Sequence, residues 1–351
     1  MMKKKVTIKD LSLQLNISTA TISMILNKRN IERFAPETIQ KVYQLAEDSG
    51  YRTKRQRSLS LVGPTDKLIF IICPSLFNPF YTTIIQGIES LARPKGYTTS
   101  IHTTYWNKAT EAAIMEQARE MHVAGVIFTM IPQQTELAYK LGNDLPVVTI
   151  GDKQENLDLT SVDMDNYNAG VQIAEHLWAK GHKHIAYLST TINQEHSSRL
   201  RRLEGLQAVY QQQADASLTV LSQNVTPEYE LNTPEIEFQV GHTLTEKCLS
   251  HHPRVTAIVC INDMVAYGSA AALQEHKRNI PQAMALCGFD NIFPSKLPGL
   301  GLTTVDHALP LCGKSAFQLL LQAIDAAANP LQPSHITHVE YKSKLVIRQT
   351  T

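Results

Sequence analysis

From residue 67 onward the chain alternates short apolar runs with longer segments of helical periodicity, and this limits the fold more than any other feature. The runs LIFIICP, AGVIFTM, PVVTIG, HIAYLS, AIVCI and ALCGF lack the polar interleaving of a strand with one wet face. Strands apolar on both sides need cover on both sides, which a parallel sheet flanked by helices supplies. Between the runs, helical spacing is clear at Ile84, Ile85, Ile88, Leu91 and Ala92. It predicts helices over 81–93, 110–121, 136–141, 169–180, 199–212, 238–251 and 265–276. The order restarts after Val162, so two such lobes are expected. Ligands of open parallel sheets bind outside the carboxyl ends of the strands, here the cleft between the lobes.

The first sixty residues follow another pattern. VTIKDLSLQLNISTATISMIL (6–26) reads as two short helices joined by a tight bend. Thr7 and Asp10 have capping-box spacing ahead of the apolar positions Ile8, Leu11 and Leu15. Asn16 stands where the bend needs positive φ, and Ser18 can cap the second helix. With Ile22, Ile25 and Leu26 turned inward, Thr19, Ala20, Ser23, Met24 and Asn27 are left outward, as on a helix that enters the major groove. Pro36 and Glu37 open a third helix. The loop 224–234 reads as extended.

The 351 residues exceed one ordinary domain, and 43% hydrophobic against 19% charged residues excludes a disordered chain. Net charge is only +1, but residues 1–59 hold 12 Lys and Arg against 5 Asp and Glu, and the remainder 21 against 27. A basic head on an acidic body suggests phosphate contact by the head alone. The five cysteines (73, 248, 260, 287 and 312) form no CxxC pair and are expected to be reduced and mostly buried. No membrane span or signal-peptide core is legible, and a cytoplasmic location is expected. His182-x-His184 and His251-His252 lack a carboxylate or cysteine at zinc-like spacing, so neither a metal nor a cofactor is expected.

The chain resembles LacI-type (LacI/GalR family) transcriptional regulators along essentially its whole length. The resemblance rests on VTIKDLSLQLNISTATISMILN, APET and AEDSGYR in the head. In the body it rests on NPFY, GIES, AGVIF, PVVTIGD, SVDMDN, GHKHIAYL, RRLEGL, INDMVAYG, CGFDN, LTTVDH and KLVIRQT, in the family's order. It implies an α/β chain: an N-terminal three-helix helix-turn-helix headpiece (5–50), a basic hinge (51–62) and a two-lobed periplasmic-binding-protein-like (type I) core with parallel sheets (63–345). The lobes are expected at about 63–163 with 293–325, and 164–291 with 328–345. The implied partners are double-stranded operator DNA, a small sugar-like effector and a second copy of the chain. A homodimer is expected because no tetramerising heptad helix follows KLVIRQT.

Carried over residue by residue, the resemblance implies base reading by Thr19, Ala20 and Met24. Thr7, Ser18, Thr21 and Asn27 are expected as phosphate contacts or caps. In the hinge, Lys54, Arg55 and Arg57 would face phosphates and Leu59 would wedge the minor groove. Two departures stand out. Met24 replaces the usual arginine, and GYRTKRQRSL lacks the proline of GYxPNxxAxxL, with Leu59 one residue early. In the core, Arg202, Asn262 and Asp290 are the implied effector-binding residues, with Ser75, Asn78 and Asp152 on the first lobe. Ile236 stands where sugar-binding members often carry an aromatic platform, so Phe77, Tyr81, Phe289 or Phe293 is expected to supply the ring. The alternatives are a ligand sensor without DNA, which leaves residues 1–60 unexplained, and a carbohydrate-acting enzyme, for which no catalytic constellation is legible.

Overall fold

A computed structural model describes residues 6–26, 33–49, 51, 67–152, 158–193, 196–327 and 335–351. The chain divides into two compact units, 1–65 and 66–351. Asn27, Gly50 and the hinge residues Lys54, Arg55, Arg57 and Leu59 lie outside the described residues.

In the first unit, α1 (Ile8–Leu15), α2 (Thr19–Leu26) and α3 (Pro36–Asp48) enclose a core of Leu11, Ile22, Ile25, Val42 and Ala46. The capping box forms as its spacing requires. The Asp10 amide donates to Thr7 Oγ1 (3.4 Å), and the Thr7 amide donates to Asp10 Oδ2 (2.7 Å). Asn16 closes α1 in the left-handed region at φ 52°. The Thr21 amide donates to Ser18 Oγ (3.1 Å), which starts α2. Tyr43 of α3 donates to the Ile25 carbonyl (3.0 Å) and fixes the third helix against the second.

The second unit contains two six-stranded sheets. The first is built from β1 (Leu68–Cys73), β2 (Thr98–Thr103), β3 (Gly125–Phe128), β4 (Val147–Asp152), β5 (Thr160–Met164) and β11 (His338–Tyr341), in the order β11-β5-β4-β3-β1-β2. The second is built from β6 (His184–Ser189), β7 (Ser217–Ser222), β8 (Ala257–Cys260), β9 (Ala285–Phe289), β10 (Thr303–Asp306) and β12 (Lys344–Val346), in the order β12-β10-β9-β8-β6-β7. Every pairing is parallel except β10 with β12. Strands β1, β3, β8 and β9 are buried along their whole length, as their unbroken apolar sequences demand. All five cysteines are free and buried.

The lobe boundaries differ from those expected from the sequence. Strand β10 pairs with β9 (Thr303 opposite Cys287) and so belongs to the second lobe. Strand β11 pairs with β5 (His338 opposite Ser161) and so belongs to the first. Both strands have only four residues, too few for an apolar pattern to say which sheet edge they extend. The chain therefore crosses between lobes beside Asp165, His307 and Ser343.

The covering helices are α4 (Pro79–Ala92), α5 (Lys108–Met121), α6 (Thr135–Asp144), α7 (Asn166–Ala179), α8 (Ser197–Tyr210), α9 (Pro227–Asn232), α10 (Ile236–His251), α11 (Asp263–Glu275) and α12 (Leu309–Ala327). The loop expected at 224–234 contains α9, started by Pro227 and by Thr226, whose hydroxyl accepts the Tyr229 amide (3.2 Å). Helices α7 and α8 touch backbone to backbone. A Cβ on Gly170 would overlap the carbonyl oxygen of Arg202, and one on Gly205 that of Tyr167. The pairs α4/α12 and α10/α11 meet through reciprocal glycines in the same way.

Candidate functional site

The carboxyl ends of both sheets face one cleft, and Arg202 lies at its floor, only 6% exposed. Its guanidinium is almost fully used by the protein. Nε donates to Asn166 Oδ1 (2.8 Å), one terminal nitrogen to the Ile261 carbonyl (2.5 Å), and the other to Asp290 Oδ1 and His307 Nε2 (both 3.3 Å). The cation also stacks 4.6 Å above the Phe289 ring. Asn166 in turn donates to Asp152 Oδ1 (3.0 Å), so one polar chain runs from β4 of the first lobe to Asp290 in the second. Burial raises the Asp152 carboxyl to about 6 and holds Asp290 well above the ordinary carboxylate range, with Arg202 opposing the latter shift.

His307 extends this chain to the crossovers. Burial and the adjacent Arg202 keep its pKa well below the usual value, so the ring is neutral. Its Nε2 accepts from Arg202, leaving Nδ1–H to donate to Ser343 Oγ (2.8 Å), and Ser343 donates to the Asp165 carbonyl (3.3 Å). The three crossover segments are thus hydrogen-bonded to one another and to Arg202.

Glu237, in the first turn of α10, is the second focus. Burial raises its pKa, against hydrogen bonds from Asn262 and Asn78 and the field of Arg199. Nearby Glu230 is raised to about 7 by burial and by Glu237. Arg199 donates to the Thr191 carbonyl (2.9 Å) and lies 5.4 Å from the centroid of Trp106. Trp106, from the first lobe, stacks on His196 of the second at 4.5 Å. His196 is driven down to about 3 by burial and Arg199, so this stack is between neutral rings.

Of the residues singled out from the sequence, Asn78, Asp152, Arg202, Asn262 and Asp290 line this cleft. Ser75 does not; its hydroxyl accepts the Phe77 amide (3.1 Å). Among the candidate rings, Tyr81 lines the cleft. Phe289 lies buried beneath Arg202, and Phe77 and Phe293 are exposed. Ile236 is buried in the core of the second lobe. Asn262 caps α11 by accepting the Val265 amide (2.9 Å). Asp263 instead accepts from Ser295 Oγ (2.6 Å), Thr304 Oγ1 (2.6 Å) and the Ile292 amide (3.1 Å), binding β10 and the loop after β9 to α11. Sequence reasoning missed Trp106, Asn166, His196, Arg199, Glu237 and His307. Asn166, in SVDMDN, and His307, in LTTVDH, do lie within segments that carry the resemblance.

His182 and His184 pair with the hydroxyls of Thr256 (3.0 Å) and Ser217 (2.9 Å). No group of three metal-ligating side chains among the described residues could hold an ion. In the first unit, Thr19 and Ala20 are exposed and Met24 half-buried, while Thr7, Ser18 and Thr21 are engaged in capping contacts.

Residues 65–344 match the family described as periplasmic binding proteins and sugar binding domain of LacI family. The chain is 26% identical to the ribose operon repressor of Halalkalibacterium halodurans, over 98% of its own length and 97% of that protein. It is 27% identical to the HTH-type transcriptional repressor PurR of Aliivibrio fischeri, over 97% and 99% of the two chains. Its fold is similar to the crystal structure of a LacI family transcriptional regulator from Enterococcus faecium with bound ribose. That comparison gives a TM-score of 0.68 at 22% identity, covering 81% of this chain and 98% of that one.

Proposed function

The chain belongs to the family of periplasmic binding proteins and sugar-binding domains of LacI-type regulators, and we propose that it is a sequence-specific DNA-binding transcriptional repressor controlled by a small polar molecule in the interlobe cleft. The observation that carries this reading is the polar chain around Arg202. It joins both lobes and all three crossovers, so a ligand bound there changes how the lobes sit together. A ligand shifts such an equilibrium only by its differential affinity for the two states. The mix of guanidinium, amide and carboxylate groups suits a hydroxyl-rich or heterocyclic effector. The related proteins are repressors, which are not enzymes.

In this reading residues 5–50 form the DNA-reading head, 51–62 the hinge and the remainder the effector-binding and dimerising core. The capped helix pair and the basic surplus of residues 1–59 support DNA binding. The test is a mobility shift with the full chain on operator selected from a random library. A near-palindromic site is expected, with its retention altered by one member of a panel of sugars, sugar phosphates and nucleobases. Absence of any selected site would overturn the reading.

Met24 makes the operator expectation specific. A thioether cannot form the bidentate contact to guanine that arginine makes, a contact worth about 1–3 kcal/mol of discrimination at one base pair. Met24→Arg is expected to restore a guanine preference at that position of each half-site. An unchanged preference in parallel selections would show that Met24 does not face that base.

A further inference from the structure

Asn78 and Asn262 each have their amide orientation set by a cap. Asn78 Oδ1 accepts the Phe80 amide (2.9 Å) at the start of α4, and Asn262 Oδ1 accepts the Val265 amide (2.9 Å) at the start of α11. With both oxygens committed to helix N-termini, both NH₂ groups must turn into the cleft as donors. They converge on one carboxylate. Asn78, of the first lobe, donates to Glu237 Oε2 (2.8 Å), and Asn262, of the second, donates to Glu237 Oε1 (2.7 Å). Both asparagines are buried, so neither donor has water as a ready alternative partner.

We propose that Glu237 is an internal tether that holds the effector cleft closed, its carboxylate joining the capping asparagines of the two lobes. This deepens the reading of the cleft as an effector site and rests on it. It also changes the roles of two residues: Asn78 and Asn262 are positioning residues whose free donors are occupied, and an entering effector must displace or share the Glu237 oxygens. The Trp106–His196 stack is a second contact between the same lobes, and it must part when the cleft opens.

The chemistry of the tether permits a test by reversal. Only a carboxylate accepts at both ends; an amide accepts at one end and donates at the other. Glu237→Gln therefore sets a donor against the donor of one asparagine. Asn78→Asp keeps the helix cap but sets a carboxylate against a carboxylate. Combined, the two substitutions restore complementarity. The glutamine amide nitrogen donates to the new carboxylate at position 78, and its oxygen still accepts from Asn262.

The experiment uses the full chain without DNA or effector, carrying spin labels on Ala109→Cys in the first lobe and Glu228→Cys in the second. Both sites are exposed and the five native thiols are buried. Double electron–electron resonance is expected to show a shift to longer, broader distances for Glu237→Gln and for Asn78→Asp, and a return to the parent distribution for the double variant. A parental distribution in Glu237→Gln would overturn the tether. So would a double variant as open as the single ones, which would mean that the position matters for packing and not for its hydrogen bonds. Neither result bears on operator binding, so the failure of the tether and the failure of the repressor reading are distinguishable.

Discussion

Arg202→Met is expected to cost about 3–5 kcal/mol of core stability, the usual penalty for stripping one partner from a buried ion pair. The sulfur chain fills much of the volume and still packs on Phe289, but it satisfies none of the four acceptors now bonded to the guanidinium. Asp290 is the costliest of them, because a buried carboxylate without a countercharge can relieve itself only by taking up a proton. Its folded-state pKa is already raised by burial and would rise further. A raised acid pKa means that the folded state binds the extra proton, so stability falls as pH climbs. The deficit of Arg202→Met relative to the parent should therefore widen above the parent Asp290 pKa. Urea denaturation at several pH values reads this directly. Arg202→Met/Asp290→Leu should recover part of the loss, since an apolar pair can replace a buried ion pair at little cost. A loss below about 1 kcal/mol at every pH would mean that water solvates Asp290 and that the polar chain does not hold the cleft floor.

The same residue shows what was legible beforehand. The alternation of strands and helices, the parallel sheets and the placement of Arg202 and Asp290 in one cleft followed from apolar runs and family motifs. These signals are strong because a fully buried strand tolerates few residue types. Helix starts in the core were read one to three residues late, as at α4, α8 and α11, because the first turn of a helix is set by its cap and apolar periodicity begins inside it. That delay hid the double use of Asn78 and Asn262. Each caps with its oxygen and bridges with its nitrogen, so reading them as direct effector ligands took account of half the side chain. Glu237 and Arg199 carried no signal, since a charged residue on a helix is ordinarily a solvated one. What turns them into site residues is the approach of the opposite lobe, a contact between positions far apart in sequence. The edge strands β10 and β11 were assigned to the wrong lobes for a related reason. Four half-patterned residues specify a strand, but not its neighbour.

The helix contacts beneath the site lead to the second large effect, because they couple fold to function through backbone atoms. Gly170→Ala puts a methyl group on α7 into the carbonyl oxygen of Arg202 on α8, with the Cα of Gly205 only 3.2 Å away. Alanine is the better helix former by about 1 kcal/mol, so an exposed glycine replaced in this way would stabilise the chain. Here the overlapping atom is backbone and cannot rotate aside. The helices must separate, and overpacking of this kind costs about 1–3 kcal/mol or more. The net loss is expected at roughly 2 kcal/mol, a fall in melting temperature of about 4–8 °C for a domain of this size. Gly142→Ala is the matched control: its added methyl would meet only the Leu159 side-chain end at 3.2 Å, so its melting temperature should stay near the parent's or rise slightly. Because Gly170 abuts Arg202 itself, moving α8 outward also draws the guanidinium away from Asp290 and His307. Gly170→Ala should therefore weaken effector-dependent control of operator binding even at temperatures where the variant remains folded. If Gly170→Ala and Gly142→Ala melted alike, the close packing of α7 on α8 would be wrong, and with it the account of what holds Arg202 in place.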